Sequence, residues 1–213
     1  MVNVVVFTCI FGDYDELNDP LIVDESIEYV CFTDNPKIKS NIWDVRIIKP
    51  CIQNDSHKSS KFVKICGHKF LQGFDYSLYI DGNMILKTAP DIPSILNGKA
   101  IAVEIHPSRN CIYDEVSACD RLKKDSLFVM NKQIKEYQSL GFPAHAGLFE
   151  CGVLARDWRN QEMINLCEIW WQHVLVYSKR DQLSFPFVFK DFPVHGFSRA
   201  LRDKLVKVKE HAL

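Results

Sequence analysis

The chain of 213 residues is 47% hydrophobic and 25% charged, with a formal net charge of −1. This balance excludes disordered, collagen-like and coiled-coil chains. The near-zero charge excludes a dominant sequence-independent attraction to nucleic acid, so no nucleic-acid partner is expected. No apolar run approaches the roughly 20 residues of a membrane span, and the first residues lack the basic region and cleavage site of a signal peptide. We therefore expect one cytoplasmic domain, residues 1–213.

In the first half, runs rich in Val, Ile and aromatic residues predict strands at Val2–Ile10, Ile27–Thr33, Trp43–Ile48, Tyr76–Ile80 and Ala100–Ile105. Polar residues that can cap a helix begin at Asn54, and apolar residues then recur at helical spacing as far as Phe70. A short helix is expected at Ile92–Leu96. Strand and helix alternate in this half, which indicates parallel pairing of the strands.

The second half is less regular. Helical spacing predicts helices at Cys111–Leu122, Lys132–Leu140 and Gln161–Val174. A strand is expected at Gly147–Leu154 and a short apolar element at Arg180–Phe189. The whole order predicts an α/β fold with a mixed, mainly parallel central sheet flanked by helices. Ligands of such sheets bind at the carboxyl ends of the strands, so the residues that follow each strand are candidates for the site.

The eight cysteines are spread along the chain without any C-x-x-C pair. Structural zinc sites usually need that close spacing, so a structural zinc is not expected, and the lack of paired cysteines argues against a thiol redox protein. Several cysteines lie in apolar runs, where the thiol packs as a small hydrophobic group. We expect reduced, buried thiols.

Polar residues follow three of the predicted strands, in the segments Phe11–Tyr14, Thr33–Asn35 and Asp81–Asn83. There is no G-x-G-x-x-G and no G-K-[ST], so a Rossmann dinucleotide site and a P-loop are not indicated. A strand-end carboxylate such as Asp81 is a natural oxygen ligand for Mg2+ or Mn2+. An Asp-Gly-Asn turn that closes a hairpin explains the same residues.

Lys58, Lys61 and Lys64 are spaced three apart on the predicted helix, and Asp55 is the only carboxylate beside them. A solvated helix face is one explanation of this stripe. A binding surface for a polyanion is the other. Few acidic partners and a nearby strand-end carboxylate suit a nucleoside diphosphate.

An ordered set of segments then carries a resemblance to a known family: Phe32–Asn35, the lysine helix, Asp75–Asn83, His106–Glu115, Gly147–Gly152 and Arg180–Phe185. The set resembles the glycosyltransferase-like family that includes plant mucilage-related and pollen-tube proteins and many small bacterial proteins, formerly a domain of unknown function. The resemblance spans roughly residues 2 to 190. It implies a GT-A-like fold, with a nucleotide-sugar-binding half at 1–105 and an acceptor-side half at 106–213.

Carried over residue by residue, the resemblance implies a donor site formed by Thr8, Thr33, Asp34, Asn35, Lys58, Lys61, Lys64, Asp81, Gly82 and Asn83. It also implies a Mn2+ or Mg2+ ion held by Asp81, Asn83 and the late His195. Asn83 stands where many GT-A enzymes have a second acid, so the metal dependence is open.

Glycosyl transfer needs stabilisation of the leaving diphosphate and removal of a proton from the acceptor hydroxyl. Glu150 and Asp181 are the candidates for the proton acceptor, although Asp181 also fits an acid at a helix N-terminus. The expected acceptor-side residues are Glu104, His106, His145 and Gln182. Inversion or retention is open.

The sequence thus predicts a glycosyltransferase that moves a sugar from a nucleoside-diphosphate sugar, UDP-linked by expectation, to a glycan or lipid-linked glycan, as in bacterial surface polysaccharide synthesis. The alternatives are a nucleotidyltransferase on a similar sheet and an inactive glycan-binding or scaffold protein. The basic stretch 201–209 would either rest on the inner face of an anionic membrane or pack on the domain. Because the chain is short for a GT-A enzyme, acceptor recognition can require a homodimer, a partner or a membrane surface.

Overall fold

The computed structural model describes residues 2–211, so Met1 and the last two residues of the predicted domain lie outside the described range. The strands are β1 Val4–Ile10, β2 Ile27–Thr33, β3 Asp44–Ile47, β4 Tyr76–Ile80, β5 Met84–Leu86, β6 Ile101–Ile105, β7 Phe149–Asp157, β8 His195–Phe197 and β9 Val206–Val208. The α-helices are α1 Ser56–Ile65, α2 Ile92–Leu96, α3 Ile112–Arg121, α4 Leu127–Ser139, α5 Gln161–Val176, α6 Asp181–Val188 and α7 Arg199–Leu205.

A seven-stranded sheet in the order β3-β2-β1-β4-β7-β6-β8 forms the centre of the molecule. β7 runs antiparallel to both of its neighbours, and the other pairs in this sheet are parallel. The predicted mixed, mainly parallel α/β fold is therefore confirmed, and its order is consistent with a GT-A-like fold. Strands of both predicted halves contribute to this one sheet.

Side chains that alternate along β1 build a core on each face of the sheet. Val5 and Phe7 pack with α1, α5 and α6 on one face. Val6 and Ile10 pack with α2, the end of α7 and the start of β9 on the other. A third apolar cluster joins α3, α4 and Leu183 of α6 beyond the sheet. Packed layers therefore support the strands on both faces of the sheet. The segments that follow the strands are thus well placed to position the side chains of a site.

Several bounds differ from the sequence expectation. The helix expected to reach Phe70 ends at Ile65 and is followed by a short 3-10 helix, Gly67–Lys69. α4 begins at Leu127, before the predicted start at Lys132. The prediction missed the first turn because its apolar residues, Leu127 and Phe128, are exposed and do not fit the periodicity of a buried helix face.

The Asp81–Asn83 turn does not close a hairpin, because β5 leaves the main sheet and pairs antiparallel with β9. The basic stretch 201–209 likewise packs on the domain, since it forms the end of α7 and then β9, with Leu205 and Val206 buried. The packing alternative for this stretch is therefore seen in the structure, and membrane contact by its exposed residues stays a prediction.

All eight cysteines are free, and seven of them are buried while Cys51 is exposed. Every helix in residues 2–211 is too short or too polar to span a lipid bilayer.

Candidate active site

The site lies at one edge of the central sheet, where the carboxyl ends of β1, β4 and β6 meet the beginning of β7. Asp81, directly after β4, donates its backbone N–H to the carbonyl of Gly152 in β7 at 2.9 Å. His106, directly after β6, donates its backbone N–H to the carbonyl of Leu148 at 2.9 Å. Because β7 is reversed, its first residues join the strand ends of its neighbours.

A cavity of about 400 Å³ opens at this edge, between the loop after β1, the first two turns of α1 and Asp81. We call it the carboxyl-edge cavity. Its walls carry five cationic side chains, Lys61, Lys123, Lys124, Lys179 and Arg180, against the two carboxylates of Asp15 and Asp81. The excess of positive charge suits a polyanion.

A second cavity of about 270 Å³ adjoins the first, and both contain Lys61, Asp81 and Arg180. We call it the β7 cavity, because Glu150, Cys151 and Gly152 form one of its walls. The structure therefore brings together many of the side chains expected from the sequence: Lys61, Lys64, Asp81, His106, Glu150, Asp181 and Gln182.

A buried charge cluster lies between these cavities. Asp181 Oδ2 is 2.7 Å from Lys64 Nζ and 3.0 Å from Lys61 Nζ, and Lys64 Nζ is 3.4 Å from Asp81 Oδ1. Burial would raise the pKa of the Asp181 carboxyl, but Lys61 and Lys64 outweigh it and hold that pKa well below its usual range. Asp181 is therefore a weak proton acceptor and a strong anchor for the two lysines. It is also the first residue of α6, as the helix-terminus alternative predicts.

Asp81 is oriented by its neighbours. The hydroxyl of Tyr79 donates to Asp81 Oδ1 at 2.9 Å. Gly152 lies so near that a Cβ there would be 3.0 Å from Asp81 Oδ2 and 2.7 Å from Met84 Cε. The carboxylate therefore depends on glycine at position 152 for its place at the cavity wall.

Glu150 is a carboxylate in the wall of the β7 cavity. Its Oε2 is 2.7 Å from Nη2 of Arg199, and its Oε1 is 3.6 Å from Nε2 of His106. Burial and the neighbouring Arg109 lower the pKa of His106, so its imidazole is neutral near pH 7. Glu150 is only partly buried, and so it can reach a bound hydroxyl.

Lys58 does not share the site of Lys61 and Lys64. Its Nζ donates to the carbonyl oxygens of Leu175 at 2.9 Å and Tyr177 at 3.3 Å, at the end of α5. Residues three apart on an α-helix are offset by roughly 60°, so positions six apart diverge by roughly 120°. The single stripe predicted from the sequence is therefore wrong for Lys58.

The residues expected to hold the base and ribose of the donor lie outside the lining of the carboxyl-edge cavity. Thr8 is buried within β1, before the strand end. Asp34 Oδ1 accepts the backbone N–H of Gly12 at 3.0 Å, and the Asn35 amide donates to Asp13 at 2.5 Å. The Thr33–Asn35 turn thus fixes the loop after β1 without lining the carboxyl-edge cavity.

Three further expected residues lie elsewhere. Asn83 is buried and donates its side-chain amide to the carbonyl of Lys209 at 2.8 Å, so it holds the C-terminal segment. Glu104 is buried beside Arg199 and Arg202, which ties β6 to α7. His145 is exposed in the loop before β7.

His195 is not brought to Asp81. It begins β8, where it pairs with Ala102, and the register across β6 and β7 sets that position level with Leu78. The two residues are three strands apart, roughly 14 Å at about 4.8 Å per strand. The expected metal set with His195 therefore does not form.

His211 is a histidine near the C-terminus that reaches the site. It lines both cavities, and its Nδ1 is 2.9 Å from Asp15 Oδ1. The ring of Tyr14 lies between those of His57 and His211, with centroids 4.9 and 4.7 Å away. Sequence reasoning singled out the segment that ends at Tyr14, but it missed Asp15, His57 and His211, although Asp15 directly follows that segment.

Comparison with known families supports the family resemblance seen in the sequence. The model of the family described as TOD1/MUCI70, glycosyltransferase-like domain, matches residues 1–211. The chain belongs to this family. The resemblance predicted from the sequence is therefore confirmed, and so is a glycosyltransferase-like function at the level of the family. No curated protein matches the chain.

Members of a GT-A-like fold family are expected to hold a divalent cation, and the donor set here is suitable. Asp81, Asp15 and His211 line the carboxyl-edge cavity of this TOD1/MUCI70 domain. Carboxylate oxygens and an imidazole nitrogen suit Mn2+, whereas Mg2+ prefers oxygen alone. The ligand atoms of these three residues do not all lie within 4.8 Å of one another, so side chains must move before all three can bind one ion.

Proposed function

We propose that the chain is a glycosyltransferase that takes a sugar from a nucleoside-diphosphate donor and passes it to a lipid-linked glycan. The observation that carries the proposal is the convergence of Lys61, Lys64 and Arg180 with Asp81 at the carboxyl edge of the sheet. Cations beside a strand-end carboxylate suit a diphosphate and its counter-ion. The family supports the reaction class, and the donor, the acceptor and the catalytic steps are our proposal.

The diphosphate would lie against Lys61 and Arg180, with Lys64 behind. Nε of Arg180 is buried and lacks a hydrogen-bond partner among the described residues. A buried donor left unpaired costs roughly 1 to 3 kcal/mol, which an anionic oxygen would recover. The lysines would stabilise the charge that develops on the leaving group, and Asp181 would hold them in place.

Glu150 is our proposed proton acceptor for the attacking hydroxyl, because it is partly exposed and oriented by Arg199. Asp181 is the weaker choice, since its two lysine partners hold its pKa far below the working range. Gln182, whose amide donates to the carbonyl of Phe149 at 3.1 Å, would support the wall beside the acceptor.

A divalent cation, when bound, would neutralise diphosphate charge as a Lewis acid. Asp81, Asp15 and His211 are the residues that would hold it. We propose Mn2+ before Mg2+ because of the imidazole.

The acceptor proposal depends on an exposed apolar rim at the mouth of the cavities. Leu122, Leu127 and Phe128 are 64%, 41% and 79% exposed, and Lys123 and Lys124 lie between them in the chain. Apolar groups flanked by lysines are suited to an anionic lipid surface. We therefore propose that this rim, residues 122–128, rests on a bilayer and receives a lipid-linked acceptor.

Calorimetry with UDP and GDP, with and without Mn2+, followed by a mass-spectrometric screen of nucleotide sugars, tests the function. We expect micromolar binding that Mn2+ strengthens, and transfer or donor hydrolysis that falls by orders of magnitude in Asp81→Asn. Asp44→Asn, an exposed acid on β3, is the matched control. Wild-type activity in Asp81→Asn would overturn the site assignment.

The calorimetry, together with an assay of pyrophosphate release, separates the alternatives. Absence of nucleotide binding in every condition would favour a glycan-binding or scaffold protein. Release of pyrophosphate from a nucleoside triphosphate and a sugar phosphate would favour a nucleotidyltransferase.

A further inference from the structure

A second group of potential metal ligands lies outside both cavities. Within residues 2–211, the one set of three His, Cys, Asp or Glu side chains whose ligand atoms all lie within 4.8 Å of one another is Cys111, Asp114 and His145. Cys111 is buried, and Asp114 and His145 are exposed. None of the three lines the carboxyl-edge cavity or the β7 cavity.

Two chain segments supply these ligands. Cys111 occupies the N-cap position of α3, and Asp114 lies in its first turn, so their spacing of three places both on the same side of the helix start. His145 comes from the loop that leads into β7. Backbone contact already joins the segments, since Gly147 donates its N–H to the carbonyl of Asn110 at 2.9 Å.

The imidazole of His145 is held by a hydrogen bond to a neighbouring side chain. Its Nδ1 is 2.8 Å from Oδ1 of Asn110. An amide oxygen only accepts hydrogen bonds, so Nδ1 carries the proton and Nε2 keeps the lone pair that binds a metal. Metal-binding histidines usually donate their other ring N–H to an oxygen in this way.

The chemistry of the three donors selects the ion. A thiolate and an imidazole are soft or borderline ligands, which zinc accepts and magnesium or calcium does not. Bond lengths of about 2.0 to 2.3 Å place tetrahedral zinc ligands roughly 3.3 to 3.8 Å apart, so side-chain rotation of about 1 Å closes the set. Three protein ligands leave the fourth position to water.

We propose that Cys111, Asp114 and His145 form a zinc site that fastens the loop before β7 to the start of α3. This site contains a single cysteine, and for that reason the absence of C-x-x-C pairs does not exclude it. In the chain, its ligands come after Arg109, which borders the β7 cavity, and before β7, the strand that carries Glu150. Bound zinc would therefore stiffen the acceptor side, independently of the cation proposed at Asp81.

Metal uptake by the full chain tests the site without any measurement of activity. The reduced protein is stripped with a chelator, titrated with Co2+ as a spectroscopic stand-in, and then challenged with Zn2+. We expect one tightly bound ion per chain, with thiolate-to-cobalt charge-transfer absorption and the strong visible bands of a four-coordinate ion. Zinc should displace the cobalt and abolish both.

The variants assign the ligands. Cys111→Ser should remove the charge-transfer band, and His145→Gln should weaken binding at least tenfold. Asn110→Ala should weaken it about tenfold through loss of the orienting bond. The exposed Cys51→Ser is the matched thiol control, and His211→Gln is the control for the cation site at Asp81; both should keep the band.

A wild-type chain without the charge-transfer band would overturn the proposal, as would Cys51→Ser and Cys111→Ser giving the same spectrum. Because Cys111 is buried, its substitution can disturb folding. His145 is exposed, so a well-folded His145→Gln with wild-type affinity would by itself rule out the site.

Discussion

Lys64 and Asp181 form an ion pair of 2.7 Å between side chains that are 1% and 3% exposed. They are 117 residues apart in the chain, yet they join α1 to the first turn of α6. The same ammonium is 3.4 Å from Asp81, so the strand-end carboxylate and the buried pair form one electrostatic unit.

Asp181→Asn should lower the free energy of unfolding by about 3 to 5 kcal/mol, because it leaves two lysines without their shared buried carboxylate. Chemical denaturation followed by fluorescence measures this. Asp44→Asn removes an exposed partner of Arg46 and should cost less than about 1 kcal/mol. Equal losses in the two variants would contradict the anchoring role of Asp181.

Lys61→Met should weaken binding of a nucleoside diphosphate at least tenfold, since a charge-assisted hydrogen bond contributes about 1.5 to 3 kcal/mol. Asp181 keeps Lys64 as its partner in this variant. Lys58→Met is the control: it should cost about 1 kcal/mol of stability and leave the affinity unchanged, because the Nζ of Lys58 donates to carbonyl oxygens at the end of α5. Equal affinities for the two variants would refute the assignment of Lys61.

His211→Gln should remove most of the gain in nucleotide affinity that Mn2+ provides, since the variant loses the imidazole at the carboxyl-edge cavity. Calorimetry with and without Mn2+ measures the gain. His195→Gln, on the distant strand β8, should retain it. The reverse pattern would restore the ligand set first expected from the sequence.

Phe128→Ser should reduce sedimentation with vesicles that contain anionic lipid by about tenfold or more, because a buried phenyl ring contributes about 1.5 to 3 kcal/mol. Vesicles of neutral lipid should bind the wild type weakly. Leu140→Ser changes another exposed apolar residue, at the far end of α4, and should have little effect. Similar losses in both variants would argue against a rim that docks on membranes.

Acid should destabilise the protein through His173. Burial lowers the pKa of this imidazole, whose Nδ1 is 2.7 Å from the hydroxyl oxygen of Tyr137. The unfolded state then binds more protons, so this contribution to stability is complete above about pH 6.5 and declines as the pH falls below it. His173→Gln should flatten the decline by at most about 1.4 kcal/mol per pH unit. An NMR titration of the ring that gives a pKa above 6.5 would exclude this account.

The strands β1, β2, β4 and β6 could be predicted because β-branched and aromatic runs are bounded by polar residues. The three-residue strands β5, β8 and β9 leave too short a pattern in the sequence. For this reason the C-terminal segment was expected as an amphipathic stretch, although it pairs with β5 and carries His211 to the cavity.

Site candidates could be predicted where a polar residue lies in or directly after a predicted strand, as Glu150 and Asp81 do. They could not be predicted where partners are remote in sequence. The bond between Lys58 and the α5 carbonyls and the contact of Asp15 with His211 depend on how distant segments pack. Helical spacing indicated three lysines on one face, but only the fold shows which two share Asp181.

The reversed strand β7 fixes the spacing of the two cavities. Asp81 and Glu150 are positioned by backbone pairing of β7 with β4 and with β6, where a shift of register between Val103 and Glu104 precedes the pairing of Glu104 with Glu150. In the proposed reaction, sheet geometry would thus set the distance between the leaving group and the attacking hydroxyl. Variants designed to change the acceptor should therefore carry substitutions in α3, α4 and the rim between them, with the strands left unchanged.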